Sequence, residues 1–155
     1  DKVAINSGAL SNPSIISDAS KVFGAQCVVA AIDYKIDAHE EAFVYSDSGS
    51  RRFKYHPLTW AKKLQKLGAG EILLTNINND GKRKGLELKL SKIITTSLNI
   101  PVIVSGGCGL AKHFVDGFMN TSAEAIAAGT FFYFQDQSPI ETRSQIKNNG
   151  IEIRA

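Results

Sequence analysis

Cysteine is scarce, with two in 155 residues, Cys27 and Cys108, each within or just after an apolar run. Two thiols cannot staple a small secreted scaffold, so a disulfide framework is excluded and both are expected to be reduced core residues. No apolar run approaches the roughly 20 residues of a membrane helix, and the start carries no signal-peptide pattern. The charge surplus is thin: 18 Lys and Arg stand against 15 Asp and Glu, a net +3 scattered along the chain. That excludes the dense basic face of a nucleic-acid binder. His39, His56 and His113 have no ligand spacing and there is no CxxC pair, so neither metal nor cofactor is expected. Linkers and low-complexity tracts are missing too, which predicts a single domain over residues 1–155. Methionine occurs once, at Met119, and the chain opens on Asp1, so residues are expected upstream. With 43% hydrophobic and 21% charged residues, the composition predicts a soluble, cytoplasmic α/β protein.

Short apolar runs rich in branched residues recur at 3–5, 27–32, 72–74, 102–104 and 125–128. They lack strict alternation, the pattern of parallel strands buried on both faces. A helical stretch follows each. Asn12-Pro13 opens one that Gly24 stops, and Pro57 opens one that Gly68 stops. Residues 86–98 and 110–119 form two more, and the capping box Ser138-Pro139-Ile140-Glu141 starts the last, ending near Gly150. Residues 41–55 alternate around Ser46-Asp47-Ser48-Gly49-Ser50, a β-hairpin inserted after the second strand. Five βα units in 155 residues leave about 31 residues each, and eight such units would make the ~250 residues of a typical (β/α)8 barrel. An open doubly wound sheet concentrates ligand chemistry at its switch point, whereas a barrel draws on nearly all its strand ends. Every strand here ends in a chemically loaded phrase, which favours part of a TIM barrel.

Ser105-Gly106-Gly107-Cys108-Gly109 joins a strand to a helix, either as a tight turn or as an anion cradle of backbone amides. Ala127-Ala128-Gly129-Thr130 ends the next strand, and paired glycine loops after the last two strands of a barrel form a phosphate site. Asp33 closes the apolar run 27–32 and fits a general acid or base at the barrel mouth, a loop cap, or a partner for Lys35. Asn6 and Thr75 end their strands similarly, placed to bond a substrate or hold that carboxylate. Asn78-Asn79-Asp80-Gly81 is a turn signal. Lys82, Arg83 and Lys84 after it form a solvated loop or attract a phosphorylated substrate. Phe131-Phe132-Tyr133-Phe134 is expected to pack in the core at the start of the last helix.

Several phrases, taken in order, resemble the cyclase subunit of imidazole glycerol phosphate synthase, the HisF family. They are Asp1-Lys2-Val3-Ala4-Ile5-Asn6-Ser7, Phe23-Gly24-Ala25-Gln26, Ala31-Ile32-Asp33-Tyr34-Lys35 and Gly68-Ala69-Gly70-Glu71-Ile72-Leu73-Leu74-Thr75. Asn79-Asp80-Gly81, Ser105-Gly106-Gly107 and His113-Phe114 continue the match, which runs to about Arg154. The resemblance implies a (β/α)8 barrel of which this chain supplies strands four to eight. It implies a cyclase fed with ammonia by a glutaminase subunit, converting a phosphoribosyl-formimino-aminoimidazole ribonucleotide to imidazole glycerol phosphate and an aminoimidazole carboxamide ribotide. Two aspartates act as acid and base in that family. Asp33 matches one, with Asn6, Thr75 and Ser105 in support; the other belongs to the first strand, outside this sequence. By the same resemblance, Asn6 and Ser7 lie near one substrate phosphate, and Asp80, Gly81, Gly106, Gly107, Ala128 and Gly129 near the other. Lys2 and Glu71 match a charged ring where ammonia enters, and Asp1 a residue facing the glutaminase. Two features diverge: Asn78 replaces the aspartate usual in the histidine pathway, and the tail 137–147 looks more like HisF-like paralogues of surface-polysaccharide biosynthesis. Those are thought to pass ammonia to a sugar amidation. A non-catalytic phosphate-binding half-barrel is the further alternative.

Overall fold

In the computed structural model, which describes residues 1–134 and 138–153, five βα repeats build one mixed sheet. The chain runs β1 (Val3–Ile5), α1 (Ser7–Ser11), α2 (Ser14–Phe23), β2 (Val28–Ile36), β3 (Ala42–Ser46), β4 (Arg51–Arg52) and α3 (Pro57–Lys66). It continues with β5 (Glu71–Asn76), α4 (Leu88–Ser97), β6 (Val102–Ser105), α5 (Ala111–Asn120), β7 (Ala125–Ala127), α6 (Thr130–Tyr133) and α7 (Pro139–Asn148). The parallel strands lie in the order of the chain: β1 pairs with β2, β2 with β5, β5 with β6 and β6 with β7. This sequential order is that of a barrel-type sheet, and it lacks the reversal of a doubly wound one.

The strands are not buried on both faces as their composition suggested. Ile32, Tyr34, Ile72, Leu74, Val102 and Val104 are buried and form the core with Ile16, Trp60, Leu64 and Ile94. The alternate residues Ala31, Asp33, Leu73, Thr75, Ile103 and Ser105 are only half-buried. One face therefore carries helices, and the other carries the polar residues of the strand ends.

The hairpin is present and reaches further into the sheet than its sequence implied. β3 runs antiparallel to β2, with Asp33 opposite Tyr45 and Ile36 opposite Ala42, and β4 pairs with β3. Pairing with β3 prolongs β2 beyond Tyr34, the last residue paired with β5, to Ile36, and Asp33 is an internal strand residue rather than a terminal one. Its turn is locally encoded: the Asp37 carboxylate accepts the His39 amide at 2.9 Å and the Glu41 amide at 3.0 Å. Helix starts follow their local chemistry. Ser138 and Glu141 complete the expected capping box of α7. Glu87, an unusual N-cap, accepts the Lys89, Leu90 and Ser91 amides for α4.

Two expectations fail locally. Cys27 lies in a short 3-10 turn at intermediate exposure, and only Cys108 is buried. Of the aromatic run, Phe131 packs inside, but Tyr133 and Phe134 are 85% and 75% exposed, and α6 stands apart from α7. Gln137, first residue of the divergent tail, lies outside the described residues, as does Arg154.

Candidate active site

The register of the parallel strands builds one row of side chains. Asp33 pairs with Thr75, Thr75 with Ser105, and Ser105 with Ala127. Side chains of one strand parity share a face, so Asp33, Thr75 and Ser105 stand side by side on the helix-free face. Asn6, the first residue after β1, donates its side-chain amide to the Asp33 carboxylate at 2.9 Å. Four of the residues singled out in the sequence therefore meet on one surface.

Burial pushes the Asp33 carboxyl above its ordinary value; the Asn6 hydrogen bond opposes the rise and the negative charge of Asp80 adds to it. Lys35 does not neutralise it: its ammonium donates to the Gly49 carbonyl at 3.0 Å and lies 4.6 Å from the Tyr45 ring centroid. A carboxyl that is half-buried, raised and oriented by one donor is suited to proton transfer.

The hairpin tip folds toward this row. Ser7 accepts the Asp47 amide through its hydroxyl oxygen at 3.1 Å, and Asn6 donates weakly to the Tyr45 carbonyl at 3.4 Å. Ser7, assigned near a phosphate by resemblance, here tethers the tip. The Asn6 Oδ1 atom is buried and has no partner among the described residues, an open acceptor beside Asp33.

Two further loops lie past β5 and β6. Gly106 and Gly107 have φ of 95° and 117°, and a side chain at either would collide with the Asn76 or the Gly85 carbonyl. Only glycine fits there. Gly85 donates to the Gly107 carbonyl at 2.8 Å, joining the two loops. Gly107 and Gly129 each lie two residues beyond the paired Ser105 and Ala127, at neighbouring strand ends. Among the described residues neither amide donates a hydrogen bond, although Gly107 is buried. Asp80 and Gly81 sit in the exposed turn after β5, and Ala128 is half-buried beside Gly129. At the opposite end of the same sheet face, Lys2 pairs with Glu71, and Asp1 is exposed next to them.

Sequence reasoning took Asn78 and Asn79 as part of a turn and missed the bonds that the asparagines of the β5 loop make. Buried Asn76 accepts the Asn78 and Asn79 amides at 2.8 and 3.2 Å, and Asn78 accepts the Ile36 amide at 2.7 Å. The density of asparagine over 76–79 was the available signal, since Asn side chains commonly satisfy loop amides.

A family model described as a histidine biosynthesis protein matches residues 1–138. The chain belongs to that family. A protein of Prochlorococcus marinus (strain MIT 9313), named provisionally as imidazole glycerol phosphate synthase subunit hisF2, is 45% identical over 99% of this chain and 59% of its own length. The imidazole glycerol phosphate synthase subunit HisF of Hydrogenobaculum sp. (strain Y04AAS1) is 41% identical over 99% of this chain and 61% of its own. HisF of Anoxybacillus flavithermus (strain DSM 21510 / WK1) is 39% identical over 99% and 62%. The HisF resemblance of the sequence phrases therefore holds along the chain, which spans about three fifths of the length of these curated relatives. As a HisF-family protein, it has its strand-end polar residues on the helix-free sheet face.

Proposed function

We propose that this chain is the part of a HisF-type cyclase that carries strands four to eight of a (β/α)8 barrel. The observation that carries this reading is Asp33, raised by burial and held by Asn6 in a row with Thr75 and Ser105. In this reading ammonia from a glutaminase subunit enters at the Lys2–Glu71 end and reaches a phosphorylated ribonucleotide at the Asp33 end. Asp33 exchanges protons with the substrate as the formimino C–N bond is cleaved and the imidazole ring closes. A second aspartate on the first strand serves as its partner. Thr75 and Ser105 orient the substrate beside the carboxylate. Free amides of Gly107 and Gly129 bind one phosphate, with Asp80, Gly81, Gly106 and Ala128 shaping the pocket around it. Asn6 and Ser7 lie toward the other phosphate.

Asp33→Asn in the intact enzyme tests the assignment. Turnover with ammonia should fall about 10²–10⁴-fold, the usual contribution of a general acid–base group, while phosphate binding persists. Near-normal turnover would remove Asp33 from the chemistry.

A second reading, in which the enzyme belongs to a paralogous sugar-amidation pathway, is favoured by Asn78. Its side chain accepts the Ile36 amide as a carboxylate would, so exchanging Asp for Asn changes the charge near the mouth without changing the loop. Complete absence of turnover by the wild-type enzyme with the histidine-pathway ribonucleotide and ammonia would select this reading.

A further inference from the structure

The glycine turn at residues 105–109 is fastened by a residue with no part in the proposed chemistry. His113, in the first turn of α5, accepts the Gly109 amide through Nδ1 at 3.1 Å. An accepting nitrogen carries no proton, so in this bond Nδ1 is the bare nitrogen of the ring. The same ring faces Gly85, 3.5 Å from where a Cβ on that residue would sit, and the Gly85 amide reaches the Gly107 carbonyl. Asn79 donates its side-chain amide to the Gly85 carbonyl at 3.3 Å. At Gly109 the missing side chain admits the backbone of Arg83, with which any Cβ would collide. One imidazole thus bonds the glycine turn and faces the segment bearing Lys82, Arg83 and Lys84. Leu110, the residue before α5, supplies no side-chain cap, so the side-chain tie from helix to turn comes from His113.

We propose that His113 is the positioning residue of the anion site: its bond to Gly109, with its ring facing Gly85 and the Gly85 amide bonded to the Gly107 carbonyl, holds both loops in the arrangement that frees the Gly107 amide for a ligand. The inference rests on the anion-site reading given above. Two consecutive glycines at positive φ have wide conformational freedom. A turn without its tie spreads over many conformers, and anion binding must then reorder it. His113 itself touches no substrate; it acts through Gly109.

The test is calorimetric titration of the protein with sulfate, alongside amide hydrogen exchange at Gly109 by NMR. His113→Ala should weaken sulfate binding about three- to tenfold and speed Gly109 exchange. His113→Asn places an amide oxygen where Nδ1 stood, so it should restore both to within about twofold of wild type. Wild-type behaviour of His113→Ala in both measurements, or a His113→Asn variant as impaired as the alanine one, would overturn the proposal. If wild type binds no sulfate, the anion-site reading fails and takes the role of His113 in anion binding with it, whereas Gly109 exchange in the expected order then leaves His113 only as the tie of the turn.

Discussion

Ionising Asp33 costs more in the folded protein than in water, because burial strips its solvation and Asp80 repels its charge. The folded state therefore holds the Asp33 proton more tightly than the unfolded chain, whose value is the ordinary 3.8. By linkage, this group contributes stability that is fully present below pH 3.8 and is lost as pH rises through the elevated folded value. Asp33→Asn has no charge to desolvate and keeps an oxygen for the Asn6 donor. Urea denaturation at pH 7 should find it at least as stable as wild type, the difference closing as the pH is lowered toward 3.8. A lower midpoint at pH 7 would mean that the carboxylate's own contacts outweigh its burial. Asp33, Thr75 and Ser105 were legible in the sequence because each is a polar residue at the end of a branched apolar run. The bonds made by Asn76, Asn78 and His113 were not, since each accepts a backbone amide whose position depends on how a loop closes.

Glu87 shows how much one helix start can depend on one side chain. Its carboxylate accepts the Lys89, Leu90 and Ser91 amides, and the Tyr34 hydroxyl donates to it at 3.3 Å. Glu87→Ala strands these donors and should lower the unfolding free energy by about 1–2 kcal/mol, read from urea midpoints, with Glu87→Gln recovering most of it. An unchanged midpoint would show that water replaces the carboxylate without loss. Glutamate is a poor sequence signal for a helix start, which is why the helix at 86–98 was recognised by periodicity but not by its cap. The same limit explains other elements. α7 was legible from its capping box and α2 from Asn12-Pro13, both local codes, although α2 begins at Ser14 with Asn12 accepting the Ser14 amide at 3.2 Å. The full length of β2 was not legible, because residues 35–36 are strand only through pairing with β3. Helix α1, five residues beginning at Ser7, is too short to carry a periodic pattern.

Across the whole molecule the helix-free sheet face has an ion-paired end and a carboxylate end, Lys2 with Glu71 at one and Asp33 with Asn6 at the other. If a glutaminase docks at the charged end, reversing an exposed rim charge there should slow association without disturbing the core. Asp1→Lys is expected to weaken the complex severalfold in a binding titration while leaving the thermal midpoint unchanged. Unaltered affinity would place the partner elsewhere. The sequential strand order was legible from the βα rhythm; the role of β2 as a shared element was not, since its three neighbours β1, β3 and β5 are far apart in sequence. That sharing has a kinetic corollary. Pairing β2 with β3 closes only the short turn of residues 37–41, whereas pairing it with β1 or β5 must first close a connection several times longer. The antiparallel arm should therefore be the seed of folding, with the parallel ladder assembled onto it afterwards. Truncating buried Val44 on β3 should slow refolding almost as much as it destabilises the protein, while truncating buried Val104 on β6 should mainly speed unfolding. On that order of events, Asp33 is set in its strand before Thr75 and Ser105 arrive beside it.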